Sequence, residues 1–258
     1  MREFFGFGGY TREPEGYMSW QHLLFVTSLM AIMVVLAIYF GRKNKDKDYK
    51  VKNKVLIIAA LLIDGFELFK IIIECFKAHD PLNWLYNLPL FLCSIQLITI
   101  PLAAFSKGKI REASLDFVFI FGLLGAVLGT YAAGNNYAAY PVLSFTNVVS
   151  GITHSISGFC SLYIVISGMA SMKKKNIYIT FSILLSFAVL ALIANLALDY
   201  NYMFLMRGDG TPYDIFYNLV GGNAVIYPII VIALFLIYIS AFYLVYFLID
   251  KKRAKSHA

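Results

Sequence analysis

This sequence has little charge. Asp, Glu, Lys and Arg make up 14% of its 258 residues, whereas 60% are hydrophobic. A typical soluble domain carries about 25% charged residues. The shortage of charge and the recurrence of long apolar runs exclude an ordinary soluble protein. They predict helices that cross a hydrocarbon core about 30 Å thick.

Cysteine and histidine are also scarce. The chain has three cysteines and four histidines, and neither a CxxC nor a Cys/His ligand spacing occurs. We therefore expect no disulfide framework, no metal site and no cofactor. The net charge of +7 does not indicate nucleic-acid binding, because the basic residues lie in loops between apolar runs, where they orient a membrane protein.

Seven apolar segments predict an all-α, polytopic membrane bundle that forms a single domain over residues 1–258. Their approximate bounds are 20–40, 55–76, 84–105, 113–133, 145–169, 177–198 and 223–249. Most of the 22 Lys and Arg residues follow the first, third, fifth and seventh segments. By the positive-inside rule those loops face the cytoplasm, so we expect the N-terminus outside, the C-terminus inside and a multi-pass protein of the plasma membrane.

Two glycines in the fourth segment, Gly125 and Gly129, lie four residues apart. Small residues at this spacing allow helix backbones to approach each other closely in membranes. The sequence therefore predicts a tight helix–helix contact along this segment.

Three reactive side chains fall at one predicted depth. Glu67, Cys93 and His154 each lie about nine residues from the outer end of the second, third and fifth segments, which is roughly 13 Å at the helical rise. His154 also belongs to a stripe of small and polar residues that is expected to face the bundle interior. We predict a polar cavity that opens toward the outer leaflet and is bounded by the second, third, fifth and sixth segments.

Each of these residues also has a structural interpretation. A buried cysteine usually acts as a small apolar side chain, an intramembrane histidine can bond a neighbouring helix, and Glu67 can pair with Lys70 on the same helix. The titratable residues Asp64, Glu67, Lys70, Glu74 and His154 would equally suit a proton-coupled transporter of small molecules or lipids. From the residues alone an enzyme, a transporter and a binding or sensor protein all remain open.

Three short motifs and one histidine occur in this order along the chain: Trp20-Gln21-His22-Leu23, Leu88-Pro89-Leu90-Phe91-Leu92-Cys93, His154 and Asn201-Tyr202-Met203-Phe204-Leu205. Together they resemble the bacterial YwaF-type integral membrane proteins. That family is similar to the eukaryotic acyltransferases typified by transmembrane protein 164, which move fatty acyl chains between glycerophospholipids. A related eukaryotic group hydrolyses lipid esters. The resemblance extends over nearly the whole chain.

The resemblance implies a membrane lipid acyltransferase or lipid-ester hydrolase in which Cys93 is the nucleophile and His154 its base. We expect Glu67 to orient the histidine, as the third member of a catalytic triad does. The bacterial pattern often has a histidine two residues before the cysteine, where this chain has Phe91. If that histidine is required for the chemistry, this chain is a non-catalytic lipid-binding relative.

The expected partners are membrane lipids. Polar residues near the predicted cavity form the set that we expect to bind them, and these are Asn201, Tyr202, Arg207, Gln96, Asn147 and His22. Within this set Arg207 suits a lipid phosphate best, because its guanidinium group presents a planar fork of donors. An ordinary interfacial loop is the alternative interpretation of the region that contains Asn201, Tyr202 and Arg207.

Overall fold

A computed structural model describes residues 2–170 and 172–256. Within those ranges the chain is helical and forms no strand, so the prediction of an all-α membrane protein is confirmed. The helices are α1 (Arg2–Phe5), α2 (Trp20–Asn44), α3 (Tyr49–Ala78), α4 (Gln96–Phe105), α5 (Gly108–Tyr131), α6 (Gly134–Ala139), α7 (Phe145–Ile166), α8 (Asn176–Leu198), α9 (Asp214–Leu219) and α10 (Ile226–Ser256). Two short 3-10 helices, Asn83–Asn87 and Tyr202–Phe204, complete the described structure.

Five of the described helices are long and apolar enough to cross a membrane, and these are α2, α5, α7, α8 and α10. Helix α3 has 30 residues, but its second half carries Asp64, Glu67, Lys70, Glu74 and Lys77. Helix α4 has only ten residues, which is about half the length that a crossing requires. The structure thus supports a polytopic helical membrane protein, whereas seven crossings and the outside position of the N-terminus stay predictions.

The third predicted segment, 84–105, is not a continuous helix. A 3-10 helix ends at Asn87, residues 88–95 are not helical, and α4 begins at Gln96. Pro89 accounts for the interruption, because it has no N–H to donate and it disfavours the α conformation in the residue before it. Leu88 is accordingly extended, with φ −62° and ψ 147°. The helical depth predicted for Cys93 is therefore wrong.

Hydrogen bonds between helix ends show how the helices are arranged. At the start of α2, His22 Nε2 bonds the Thr130 carbonyl near the end of α5 at 3.1 Å. At the end of α2, Asn44 donates to the Tyr163 hydroxyl at 3.2 Å, and that hydroxyl donates to the Lys52 carbonyl at 3.0 Å. Hereafter the Trp20 end is the side of the bundle on which α2 begins, and the Asn44 end is the opposite side.

Helices α5 and α7 cross closely at glycines. A Cβ atom built on Gly122 would lie 2.7 Å from the Ser157 carbonyl oxygen, and one built on Gly158 would lie 2.7 Å from the Cβ of Ala126. These distances are shorter than ordinary van der Waals contact, so only glycine permits the crossing. This contact brings the polar stripe of α7 against α5.

A buried carboxylate ties α5 to the helices that follow it. Asp116 accepts hydrogen bonds from the Met172 backbone N–H at 2.9 Å, from Asn176 Nδ2 at 2.8 Å and from the Tyr243 hydroxyl at 3.0 Å. Its side chain has no exposed surface. The Asp116 carboxylate therefore holds the start of α8 and the middle of α10 against α5 at the Asn44 end.

Asp116→Ala is expected to lower the free energy of unfolding by roughly 3 kcal/mol, because it leaves buried donors without an acceptor. The matched control is Glu112→Ala, one turn earlier on α5, where the carboxylate pairs with a half-exposed Lys173 at 2.6 Å. An exposed pair of this kind contributes at most about 1 kcal/mol. Unfolding in detergent measures both variants, and equal losses would contradict this role for Asp116.

Candidate functional site

A small cavity lies between α3, the start of α4, α5 and α7. Its volume is about 50 Å³, enough for about three or four water molecules. The residues on its wall are Ile63, Glu67, Lys70, Cys93, Ser94, Leu97, Gly125, Ser150, Thr153, His154 and Ser157. The structure thus brings Cys93, His154 and Glu67, the three residues of the predicted reactive set, to one cavity.

The cavity is bounded by α5 and not, as predicted, by the sixth segment, which is α8. The fourth predicted segment, now α5, contributes Gly125, whereas no described residue of α8, the sixth segment, lies on the wall. The prediction was wrong here because α8 packs through apolar side chains such as Leu184, Ala188 and Ala191 against a separate core. Helix α5 can approach Cys93 closely since it presents a glycine there.

Two glycines of α5 form one side of the cavity. A Cβ atom on Gly125 would lie 3.4 Å from the Cβ of Cys93, and one on Gly129 would lie only 1.8 Å from Nε2 of His154. Residues four apart are on the same face of a helix, one turn from each other. Cys93 and His154 therefore lie over consecutive turns of α5. Sequence reasoning assigned these glycines to helix packing and missed their contact with the two side chains.

The thiol of Cys93 lies among hydrogen-bond donors. The Ser94 hydroxyl and the backbone N–H groups of Cys93 and Ser94 interact with it. In the described part of the chain those two N–H groups donate to no other residue. They precede the first turn of α4, where the helix dipole also favours negative charge. These two free N–H groups suit an oxyanion that forms on a bound ester.

The imidazole of His154 is held between two helices. Its Cδ2 and Nε2 edge packs over Gly129 of α5. Glu67 pairs with Lys70, with 2.5 Å between Oε1 and Nζ, and both side chains lie on the same cavity wall. The i,i+3 spacing indicated this pair, but sequence reasoning did not include Lys70 among the site residues.

A family model matches the chain over residues 17–247, and it describes the TMEM164 family. The chain belongs to the TMEM164 family. The match includes the cavity residues and the connection between α8 and α10, so the resemblance drawn from the short motifs is confirmed. Comparisons with curated proteins and with solved structures found no match.

Phe91 occupies the position where the bacterial pattern often has a histidine. In this TMEM164-family protein the Phe91 ring does not lie on the cavity wall. It packs against the rings of Tyr202 at 5.2 Å and Phe204 at 5.7 Å. An aromatic cluster next to the cavity therefore accommodates this side chain.

Three of the residues predicted to bind substrate lie in helices outside the cavity wall. His22 accepts a hydrogen bond at Nδ1 from the Met18 N–H at 3.2 Å and bonds the Thr130 carbonyl through Nε2. Asn147 Nδ2 donates to the Pro141 carbonyl at 3.0 Å, and Gln96 Oε1 accepts from the Thr99 hydroxyl. All three side chains thus form hydrogen bonds with other groups of the protein. A role in substrate binding stays a prediction for each of them.

The loop that contains Asn201 and Arg207 is closed by its own polar side chains. Asn201 donates to the Arg207 carbonyl and to Asp209 Oδ2, both at 2.8 Å, and it accepts from the Met206 N–H at 2.9 Å. The guanidinium group of Arg207 pairs with Asp209 at 2.7 Å. The phosphate contact predicted for Arg207 stays untested, and its side chain does not lie on the cavity wall.

Tyr202 holds the interrupted segment in place. Its buried hydroxyl donates to the Leu85 carbonyl at 2.5 Å and accepts from the Leu88 N–H at 3.2 Å. Asn195 of α8 fixes the Tyr202 backbone by accepting from its N–H at 2.6 Å and donating to its carbonyl at 3.0 Å. The hydroxyl predicted to meet a lipid head group thus satisfies backbone groups at the helix interruption.

Gly129→Ala is expected to destabilise the protein by roughly 1–3 kcal/mol, the usual cost of overpacking, because the new methyl group displaces the His154 ring. Gly125→Ala, one turn earlier, makes an ordinary contact with Cys93 and should lose less than about 1 kcal/mol. Unfolding midpoints in detergent compare the two. Equal tolerance at both positions would show that the ring does not lie over Gly129.

Tyr202→Phe is expected to cost roughly 1–3 kcal/mol, because it removes the partner of the Leu88 N–H and the Leu85 carbonyl while keeping the ring. It should also raise the rate at which a maleimide alkylates Cys93, since the interrupted segment loosens. Tyr200→Phe is the control, as the Tyr200 hydroxyl has no hydrogen bond to any described residue. An equal effect in both variants would contradict the assignment.

Proposed function

We propose that this protein is an integral membrane lipid acyltransferase or lipid-ester hydrolase in which Cys93 and His154 react. The supporting observation is that both residues lie on one small cavity inside a bundle of apolar helices. Polar and ionisable groups are costly within a membrane and typically mark functional sites there. The family to which the chain belongs supports the same proposal.

In the first half of the reaction His154 takes the proton of the Cys93 thiol. The thiolate attacks the carbonyl carbon of a glycerolipid ester, and the N–H groups of Cys93 and Ser94 stabilise the oxyanion that forms. The imidazolium returns its proton to the leaving glycerolipid oxygen as the ester bond breaks. The products are a lysolipid and an acyl thioester on Cys93.

In the second half a lysolipid hydroxyl or a water molecule attacks the thioester. His154 removes the proton of the attacking group, and the thiol recovers it when the carbon–sulfur bond breaks. Transfer results with a lysolipid and hydrolysis with water. Glu67, on the same cavity wall, is proposed to orient the histidine, as the third member of a catalytic triad does.

The cavity accommodates the reacting ester but not a whole lipid. Its volume of about 50 Å³ corresponds to a few water molecules, which is the scale of an ester group. The acyl chains must therefore remain in the surrounding bilayer. The positive-inside rule predicts that the N-terminus is outside. The Trp20 end would then face the outer leaflet of the plasma membrane, whose lipids are the proposed substrates.

Acyl transfer between a labelled phospholipid and a lysolipid in nanodiscs tests the proposal. Cys93→Ala and His154→Ala should each slow transfer by at least about 100-fold, since each removes a reacting group. The double variant should be no slower than either single variant, because the two residues act as a unit. Cys75→Ala is the control, as Cys75 is not on the cavity wall. Equal rates for wild type and Cys93→Ala would overturn the role of the cysteine.

Proton-coupled transport is the second candidate, and Asp64 favours it. The Oδ1 atom of Asp64 is buried and has no hydrogen-bond partner among the described residues, one turn from Glu67 on α3. A titratable chain of this kind can relay protons through a membrane. Solute uptake into vesicles under a pH gradient that depends on Asp64 and survives Cys93→Ala would favour transport over lipid chemistry.

A further inference from the structure

We propose that Lys70 binds the phosphate of the donor lipid and makes this site select phospholipids over neutral glycerolipids. The inference rests on the proposed function. Of the described residues on the cavity wall, Lys70 is the one that carries a permanent positive charge. A lysine ammonium group presents three donors on a flexible stem, which suits a phosphate.

Lys70 lies on the side of the cavity from which a head group would enter. The Thr146 hydroxyl donates to Glu74 Oε1 at 2.8 Å, which aligns the end of α3 with the start of the antiparallel helix α7. Lys70 lies one turn from Glu74 on α3, and Ser150 lies one turn from Thr146 on α7, in both cases away from the Trp20 end. Both residues line the cavity. His154 lies one more turn along α7. The backbone of Lys70 is thus one turn nearer the Trp20 end than that of His154, and its flexible side chain reaches back to Glu67 in this structure.

This order matches the structure of a glycerophospholipid. The phosphate lies at the polar end of the lipid, and the ester carbonyls lie between it and the acyl chains. A lipid with its head group toward the Trp20 end would place its phosphate near Lys70 while an ester group faced Cys93 and His154. A neutral diacylglycerol has the same esters and lacks the phosphate, so it could not use Lys70.

The ion pair with Glu67 does not account for Lys70 by stability alone. The side chains of Lys70 and Glu67 are 16% and 13% exposed, and a largely buried pair often gains little against the cost of desolvating both charges. An incoming phosphate would compete with the Glu67 carboxylate for the ammonium group. Arg207, the cation predicted from sequence to hold a phosphate, already pairs with Asp209 away from the cavity wall.

Helix α3 supplies a matched control one heptad farther along. Lys77 pairs with Glu74 at 3.1 Å in the same i,i+3 arrangement, and its side chain is 15% exposed. Lys77 does not lie on the cavity wall, and its ammonium group lies over the rings of Tyr10 and Tyr140. Lys77→Met therefore removes the same charge from the same helix without altering the cavity.

The test measures initial rates of acyl transfer from phosphatidylcholine and from diacylglycerol with identical acyl chains, using the full chain in nanodiscs. The ratio of the two rates should fall about 10-fold or more in Lys70→Met, one such charge–phosphate contact being worth at least that factor. This ratio of rates should lie between the wild-type and Lys70→Met values in Lys70→Arg. It should keep its wild-type value in Lys77→Met. A wild-type ratio in Lys70→Met, or an equal fall in both methionine variants, would overturn the proposal.

A binding measurement separates this inference from the proposed reaction. If the wild type transfers acyl chains from neither lipid, the proposed function has failed. The role of Lys70 is then tested by measuring the binding of two lipids that cannot be cleaved, a diether phospholipid and a dialkylglycerol. Native mass spectrometry should show weaker retention of the diether phospholipid in Lys70→Met, and undiminished retention in Lys77→Met. Equal retention by wild type and Lys70→Met would overturn the inference.

Discussion

The interruption of the helix at residues 88–95 is the constraint on which the rest of the site depends. Backbone N–H and carbonyl groups inside an apolar bundle have no water to bond, so irregular backbone there must be satisfied by protein or face a polar cavity. This protein uses both solutions. The Tyr202 hydroxyl satisfies the Leu85 carbonyl and the Leu88 N–H. The N–H groups of Cys93 and Ser94 donate to no described residue, and both residues line the cavity. The same interruption that Pro89 causes thus presents a cysteine and two donors to the cavity.

The cavity exists because neighbouring helices leave room for it. Gly125 and Gly129 remove side chains from the face of α5 that Cys93 and His154 occupy. On the opposite side, α3 brings Glu67 and Lys70 as a pair whose charges largely compensate each other. Each of these polar or charged side chains would be costly alone in a membrane. The cost is reduced because the polar groups face one another across the cavity.

Much of this structure follows from patterns within single helices. The apolar runs predict the all-helical bundle, the polar stripe of α7 predicts that His154 faces inward, and the short motifs identify the family. Spacing along α3 also indicates the pair of Glu67 and Lys70. These features depend on neighbours in sequence, which is why the sequence predicts them.

The features that sequence reasoning missed depend on partners that are distant along the chain. Tyr202 meets Leu88 across 114 residues, so nothing near Tyr202 indicates that its hydroxyl is already bonded. The apolar run 84–105 reads as a helix although Pro89 interrupts it, because apolar composition outweighs a single proline in such a reading. The presence of α5 and the absence of α8 at the cavity likewise follow from helix packing, which no single segment encodes.

Mass spectrometry of the purified protein after incubation with a phospholipid tests the central claim most directly. If the cavity is the site of acyl transfer, the acyl chain of the lipid should be found on Cys93, and hydroxylamine should remove it as it removes a thioester. His154→Ala should not acquire the acyl group. An unmodified Cys93 in the wild type under conditions that produce lysolipid, or an acyl chain only on Cys75 or Cys160, would contradict the account.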